Sequence, residues 1–252
     1  MKQIGRLIKP QRGFGRLVHS VGLILLPAIL YILARVGFTE LSVAVILLSK
    51  WRIFAVRARY WPAHLRSNSI DISVGLSVVL LMSSTNSMLS HLLLAALYVI
   101  WLVVIKPRSS LVWVSMQALI GQTISLYTVF HIWGEHSVLF LVAATALICV
   151  LAARHFLSSF DENMSRMIAY TWGYVTAAIV WLSTHWLIYF GTIAQPVLLI
   201  SVMGYGTATL YYLDHKSALS KHVLRQVVIT ICALAFVIIM FSGRSDNIVL
   251  WS

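Results

Sequence analysis

The fold is decided by residues 111–153, which read LVWVSMQALIGQTISLYTVFHIWGEHSVLFLVAATALICVLAA. Two apolar runs of about twenty residues flank a short polar connection that contains Gly134 and Glu135. About twenty residues is the length that an α-helix needs to cross the hydrocarbon core of a bilayer. This stretch therefore predicts two antiparallel membrane-spanning helices joined by a tight turn.

Apolar runs of this length recur from near residue 17 almost to the end of the 252-residue chain. They predict an all-α, polytopic transmembrane helical bundle of about nine spans. Residues 1–252 are expected to form a single integral membrane domain, of which 1–16 is a basic cytoplasmic segment. A cleaved signal peptide is not expected, because the run from Ile32 to Arg35 lacks the small residues of a cleavage site. The predicted spans are 17–37, 39–57, 69–86, 87–105, 111–132, 136–153, 167–189, 194–213 and 224–242.

The composition excludes a soluble protein. Hydrophobic residues make up 60% of the chain, charged residues make up 10%, and the mean hydropathy is +0.89. The formal net charge is nevertheless +12, with a pI near 10.1. A soluble nucleic-acid-binding protein could carry this charge, but it could not keep so much apolar surface out of water. We therefore expect no nucleic-acid partner, and we expect the main partner to be a lipid bilayer with anionic lipids in its inner leaflet.

The distribution of basic residues predicts the orientation of the chain. With a cytoplasmic N-terminus, 17 of the 19 Lys and Arg residues fall on the cytoplasmic side, and only Arg35 and Arg244 fall outside. Including the acidic residues gives charges of +13 inside and −1 outside. Because the span boundaries rest on apolarity alone, this asymmetry supports them independently. It predicts an integral protein of a bacterial-type plasma membrane, with its N-terminus in the cytoplasm and its C-terminus outside.

The second and third spans are the least regular. Only the twelve residues from Phe38 to Ser49 precede Lys50 and Arg52, and they cover roughly 18 Å of a hydrocarbon core about 30 Å thick. Lys50 would then lie within the inner part of the bilayer, with its ammonium group extending to the cytoplasmic headgroups. The alternative is seven full spans plus a re-entrant hairpin over 37–86, which leaves the orientation of the later helices unchanged.

One face of the predicted fifth span is polar from its inner third to the outer surface. On a helix with 100° per residue, the polar positions fall within about 40° of the direction of Gln117. A polar stripe that faces lipid would be costly, so this face is predicted to point into the bundle and to line a substrate path. The alternative is an interhelical hydrogen-bond seam with no transport role. The residues of this polar face are Gln117, Gly121, Thr128, His131 and Glu135.

The seventh span supplies two further candidates for the substrate path. Tyr174 and His185 belong to an aromatic and polar stripe with Tyr170, Trp181 and Thr184. The outer end of this stripe meets the outer end of the fifth span, so Tyr174 and His185 are candidates for ligand contact. The alternative is ordinary packing, which is the commoner role of aromatic residues at helical spacing.

Four histidines are predicted near the outer surface, each from a different span. A neutral imidazole binds divalent transition metals, and its pKa of about 6.5 also lets it relay protons near neutral pH. A metal site would require four helices to converge, and the spacing matches no metalloprotease motif. The alternative is four unrelated interfacial histidines, and the sequence identifies no cofactor. The metal candidates are His91, His131, His136 and His185.

Residues 50–66, KWRIFAVRARYWPAHLR, interleave basic and aromatic side chains. Aromatic rings favour the headgroup layer and guanidinium groups bind lipid phosphates, so the segment is predicted to lie at the cytoplasmic interface. Its simplest role is that of a topology determinant. In a functional alternative it forms a pocket for an anionic lipid or phosphate, with Asp71 available as a counter-charge. The residues of this predicted pocket are Lys50, Arg52, Arg57 and Arg59.

The sequence does not identify an enzyme, because it contains no Walker A, Rossmann or nucleophile-elbow motif. The first function hypothesis is small-solute transport or permeation along the polar face of the fifth span. A second is a non-catalytic membrane subunit or scaffold, which binds another membrane protein or forms a homo-oligomer. A third is a membrane enzyme or binder that acts on a phosphate-bearing lipid at the cytoplasmic face, with His64 or His155 as acid or base. The position of the internal cavities distinguishes the three.

Overall fold

The described chain is almost entirely helical. A computed structural model describes residues 14–51, 57–160, 162–186 and 189–243. It is 82% helical, and its described residues form no sheet beyond one short hairpin, which confirms the predicted all-α class. The elements are α1 (Phe14–Val36), α2 (Thr39–Leu48), α3 (Trp61–Ser67), α4 (Ser69–Ser83), α5 (Met88–Ile100), α6 (Leu111–Trp133), α7 (Val138–Leu157), α8 (Ser165–Ser183), β1 (Tyr189–Phe190), β2 (Ile193–Ala194), α9 (Gln195–His215) and α10 (Lys221–Phe241).

Each predicted span contains one of these helices, with the largest boundary difference at α2, which ends at Leu48. By length and hydropathy, however, four helices of the described chain could cross a membrane. A fifth is possible if α3 and α4, which are bent by 66° relative to each other, form one broken span. The described residues thus support four to five spanning helices, fewer than the nine predicted. The four helices are Met88–Ile105, Val138–Leu157, Gln195–His215 and Lys221–Phe241.

Two physical causes lower the number of spans. With ten residues, α2 covers about 15 Å, which is half of the hydrocarbon core. In contrast, α6 and α8 are long enough, with 23 and 19 residues, but they carry many polar and small side chains. In α6 these include Gln117 and Gln122, which lower its mean hydropathy. The sequence-based prediction counted α6 and α8 as spans because their apolar residues outnumber the polar ones.

Local signals explain where several helices begin and end. The side chains of Ser87, Ser137 and Ser220 each accept a hydrogen bond from the backbone N–H three residues later, at the starts of α5, α7 and α10. Each bond satisfies an N–H group that the first turn of a helix leaves without a partner. Between α1 and α2 the chain turns at Gly37, whose φ of +84° is a conformation that glycine adopts without a Cβ clash.

The described chain divides into two compact units. The first unit holds the described residues up to Ser49 together with Val78–Arg108. In it α1 packs against both α2 and α5, and α5 continues into a π-helical turn over Trp101–Ile105. Of the predicted basic segment 1–16, residues 1–13 lie outside the described residues.

The second unit holds Lys50–Ser77 and the described residues from Ser109 onward. Within it α7 packs against α6 and α8, and α9 packs against α6, α8 and α10. The prediction of one integral membrane domain concerns both units together and stays a prediction. The buried core of this unit forms two clusters, one containing Leu126, Cys149 and Ile200, and the other containing Ala118, Phe156 and Ala169.

Candidate functional site

A cavity of about 550 Å³ lies between α6, α7, α8 and α9 in the second unit. We call it the four-helix cavity. Aliphatic, aromatic and methionine side chains make up most of its wall, and small residues of α6, α7 and α9 leave the space open. Its wall includes Ala118 and Gln122 of α6, Phe156 of α7, Trp172 of α8, and Gly204 and Tyr211 of α9.

Gln122 is a buried polar residue in this apolar wall, with 3% of its surface exposed. Its Oε1 accepts a hydrogen bond from Nε1 of Trp172 at 3.1 Å. Because an indole N–H can only donate, this bond determines which end of the amide faces Trp172. The other end, Nε2, has no hydrogen-bond partner among the described residues. The wall of the cavity therefore contains an amide donor whose hydrogen-bonding capacity is unused by those residues.

Gly204 leaves room beside this amide. A Cβ atom at position 204 would lie 2.9 Å from Nε2 of Gln122 and 3.4 Å from Cζ2 of Trp172. Any larger residue would therefore press against the amide and the indole ring. The lack of a side chain at Gly204 lets the amide pack directly against the backbone of α9.

One end of the cavity is held by a contact between α9 and the connection from α7 to α8. The hydroxyl of Tyr211 donates to Oε2 of Glu162 at 2.8 Å, and the backbone N–H of Met164 donates to Oε1 at 3.2 Å. The rings of Phe156 and Phe160 lie 5.8 and 5.0 Å from the Tyr211 ring. These contacts fix the connection against the end of α9.

The Glu162 contact predicts a dependence of stability on pH. The hydrogen bond from Tyr211, and then the one from Met164, lower the pKa of Glu162 below its usual value. Its stabilising contribution is therefore present above the unfolded-state pKa of about 4.3 and is lost as the pH falls through the lower folded-state pKa. We expect the Tm of the native protein to fall more steeply below about pH 4 than that of Glu162→Gln. Equal slopes in thermal unfolding scans of the two proteins would contradict the role of this contact.

Close packing of α7 on α8 positions Trp172. At Gly173 of α8, a Cβ atom would lie 2.3 Å from Cγ2 of Val150 and 3.2 Å from the carbonyl oxygen of Ala146, both on α7. Glycine permits this approach of the two backbones, as small residues do between membrane helices. Since Trp172 precedes Gly173, the same contact orients the indole toward Gln122.

The structure gives the inner members of the predicted polar face of α6 contacts with neighbouring helices. Gln117 is buried, and its Oε1 lies 3.2 Å from Nε2 of His155. Thr128 is buried and donates to the carbonyl oxygen of Ile124 at 2.8 Å. At Gly121 a Cβ atom would lie 2.6 Å from Cγ2 of Ile70, so this position is filled by α4. None of these three residues lines the four-helix cavity, and their contacts fit the alternative of an interhelical hydrogen-bond and packing seam.

The outer members of the predicted path are exposed: His131, Glu135, Tyr174 and His185. The His131 ring stacks on Tyr127 with a centroid distance of 5.4 Å, and Nδ1 of His185 lies 2.8 Å from the carbonyl oxygen of Trp181. None of the four lines the cavity.

The metal hypothesis receives no support from the part of the chain that the structure describes. No group of three or more His, Cys, Asp or Glu side chains there could hold an ion. His91 belongs to the first unit, where it is buried and its Nε2 lies 2.6 Å from the carbonyl oxygen of Met82. His136 is exposed and packs near the ring of Phe140. Each histidine thus has a local structural contact.

The predicted anionic pocket is not assembled among the described residues. Lys50 forms a buried ion pair with Asp71, and the side chain of each is 9% exposed. The guanidinium of Arg59 lies over the ring of Tyr60, 4.5 Å from its centroid. Arg57 is exposed, and Arg52 lies outside the described residues.

A second cavity of about 500 Å³ lies on another side of the α6 and α9 pair. Thr123 of α6 and Ser201 of α9 line it, and their hydroxyl groups lie 3.0 Å apart. Leu119 of α6 lines both this second cavity and the four-helix cavity. The contact between α6 and α9 therefore separates two apolar spaces.

Sequence reasoning missed Gln122, Trp172, Gly204 and Tyr211 as site residues. The sequence could have identified Gln122. It is the second glutamine of α6, and it lies about 140° around the helix from Gln117. Two buried glutamines on different faces indicate that protein covers α6 on more than one side.

Comparison of the chain with protein-family models, curated proteins and solved structures finds no match. The features of this chain that indicate its function are the apolar four-helix cavity and the amide donor in its wall.

Proposed function

We propose that this protein is an integral membrane protein that binds the apolar chain of a lipid-like molecule in the four-helix cavity. The observation that carries the proposal is the cavity itself, which has about 550 Å³ of space and a largely apolar wall. Sites for small molecules have volumes of roughly 300 to 1,000 Å³, a mostly apolar lining and a few placed polar groups. The four-helix cavity fits this description, with Gln122 and Trp172 as a hydrogen-bonded polar pair in its wall.

The proposal includes the predicted orientation, with the N-terminus in the cytoplasm and the C-terminus outside. It is supported by the positions of the helices, which coincide with the predicted spans, and by the asymmetry of basic residues. The short α2 and the bend between α3 and α4 favour the version with a re-entrant element over 37–86. In this version the full spans are α1 and α5 to α10, which adds α1, α6 and α8 to the four helices that qualify by length and hydropathy.

Arginines near the α7 to α8 connection support a bilayer with anionic lipids as the surroundings. Arg154, in the last turn of α7, lies within electrostatic range of Arg66 and Arg166. Positive charge is therefore concentrated where α7 ends and α8 begins, which is the predicted cytoplasmic side. Anionic headgroups of the inner leaflet would offset the repulsion between the three arginines.

Binding is favoured over transport because the polar face of α6 is occupied by contacts with other residues. Gln117 bonds His155, and the space beside Gly121 is filled by Ile70. A solute path would need polar groups that face an open space. The four-helix cavity is instead lined mostly by apolar side chains.

The proposal predicts that filling the cavity expels its ligand. Ala153 of α7 lines the cavity, so Ala153→Phe places a phenyl ring in it. Ala143, also on α7, is exposed, so Ala143→Phe adds the same ring outside the cavity. We expect the native protein and Ala143→Phe to retain one apolar molecule during stepwise removal of lipid in detergent, and Ala153→Phe to lose it, as counted by native mass spectrometry. Equal retention by both variants would contradict the proposal.

The scaffold hypothesis stays a prediction. In α10, only 6% of the apolar window is buried within the described chain. Lipid tails cover such a surface as well as a partner helix does, because lipid is as apolar as a leucine-rich helix. The exposure of α10 therefore agrees with a membrane location and does not indicate a partner.

A further inference from the structure

We propose that the Gln122 amide donates a hydrogen bond to a carbonyl oxygen of the molecule in the four-helix cavity. The inference rests on the proposed function and names the chemical class of its ligand, which is an apolar molecule with a carbonyl acceptor. It explains why an apolar wall contains a buried amide at all. A buried donor without a partner costs free energy, and a carbonyl oxygen removes that cost.

The orientation of the amide supports a carbonyl as the acceptor. The indole N–H of Trp172 occupies Oε1 of Gln122 at 3.1 Å, so the group that remains for a ligand is the NH₂ group. An NH₂ group can only donate, and the ligand must therefore supply an oxygen or nitrogen acceptor. A ligand that consists of hydrocarbon alone would leave Nε2 unsatisfied.

The surroundings of Nε2 determine the side from which a ligand can approach it. A Cβ atom at position 204 would lie 2.9 Å from Nε2, so the amide packs directly against the backbone of α9 on that side. Nε2 is itself buried, and Gln122 forms part of the cavity wall. A carbonyl oxygen of the ligand must therefore approach from the cavity, with a small turn of the amide toward it.

The depth of Gln122 favours one source of the carbonyl over another. Gln122 is the central residue of α6, about 16 Å from either end of the helix. This places the amide near the middle of a hydrocarbon core about 30 Å thick. The ester carbonyls of phospholipids lie next to the headgroups, whereas the ring carbonyls of an isoprenoid quinone can reach the middle of the bilayer. The depth thus favours a quinone-type ligand.

Binding of three probes to the purified full chain tests the inference. The probes are a short-tailed isoprenoid benzoquinone, a diacyl phosphatidylglycerol, and squalene, which is an isoprenoid hydrocarbon without a carbonyl. We expect the native protein to bind the quinone more tightly than squalene. Gln122→Met should weaken quinone binding about ten-fold and leave squalene binding unchanged. Gln117→Met makes the same substitution on α6 outside the cavity and should leave both affinities unchanged.

Two further measurements keep the test independent of the folding of Gln122→Met. Gly204→Ala retains the pair of Gln122 and Trp172 but places a methyl group next to Nε2, so it should also weaken quinone binding. In infrared spectra, the carbonyl stretch of the bound quinone should shift to lower frequency in the native protein and in Gln117→Met. The shift should be absent in Gln122→Met if any quinone remains bound.

The outcomes separate the inference from the proposed function. If the quinone binds no more tightly than squalene, or if Gln122→Met leaves its affinity unchanged, the carbonyl inference is wrong while apolar binding in the cavity stands. If none of the three probes binds to the native protein, the proposed function itself fails. If phosphatidylglycerol alone shows the dependence on Gln122, the carbonyl bond is confirmed and its source is an ester lipid.

Discussion

Asp71→Asn is expected to lower the free energy of unfolding by about 3 to 5 kcal/mol. Asp71 forms an ion pair with Lys50, and both side chains are buried. Asparagine preserves the shape of the aspartate but removes its charge. The Lys50 ammonium would then be buried without its compensating carboxylate, and the cost of removing a charge from water is much larger than the loss of an ordinary contact. The measurement is unfolding of the purified protein in mixed micelles with increasing sodium dodecyl sulfate.

A double variant distinguishes loss of the pair from general damage. Lys50→Met combined with Asp71→Leu removes both charges and should recover most of the lost stability, since an apolar pair of similar volume often replaces a buried ion pair without cost. Asp214→Asn is the matched control, because Asp214 is exposed at the end of α9 and should tolerate the same change. Additive effects of the two single substitutions at Lys50 and Asp71 would show that the two residues are not energetically coupled.

Gly173→Ala is expected to lower the free energy of unfolding by about 1 to 3 kcal/mol. The new methyl group would lie 2.3 Å from Cγ2 of Val150 and 3.2 Å from the backbone oxygen of Ala146. The valine can move only in part and the backbone oxygen resists displacement, so α7 and α8 must separate slightly. Because Trp172 is adjacent, the change should also weaken ligand retention in the four-helix cavity. Both effects can be measured on the same purified protein.

A second substitution on the opposite helix is expected to restore the stability of Gly173→Ala. Val150→Ala in the Gly173→Ala background removes the clashing Cγ2 atom and should restore much of the stability. Gly22→Ala in α1 is the control, because a Cβ atom there meets nothing within 4 Å and alanine favours a helix. A loss of stability at position 22 as large as that at position 173 would mean that the effect does not come from the packing of α7 on α8.

The helices could be predicted from the sequence because apolar run length and polar caps are local signals. Ser87 and Ser137 cap helices close to the predicted starts. The count of spans could not be predicted in the same way, since α2 looks like the beginning of a full span but ends after ten residues. The sequence named Asp71 as an available counter-charge for the basic residues of segment 50–66. It did not show that Asp71 pairs with Lys50, which lies 21 residues earlier in the chain.

The candidate site could be predicted only in part, because helical periodicity identifies a polar face but not what covers it. Gln117 and Gly121 of this face contact His155 and α4, whereas His131 and Glu135 at its outer end are exposed. The cavity lies on another face of α6, where most residues are apolar and resemble lipid-facing ones. Only the packing of four helices around small residues creates that space, and such packing is not encoded in any single helix.

The position of Leu119 gives the four-helix cavity and the second cavity a wall residue in common. Its side chain belongs to the walls of both, so the α6 and α9 pair acts as a thin partition between them. An occupant that displaces this side chain takes volume from the opposite space or adds volume to it. Coupling of this kind is reciprocal. A ligand in one cavity would change the ligand affinity of the other cavity by the same factor in both directions.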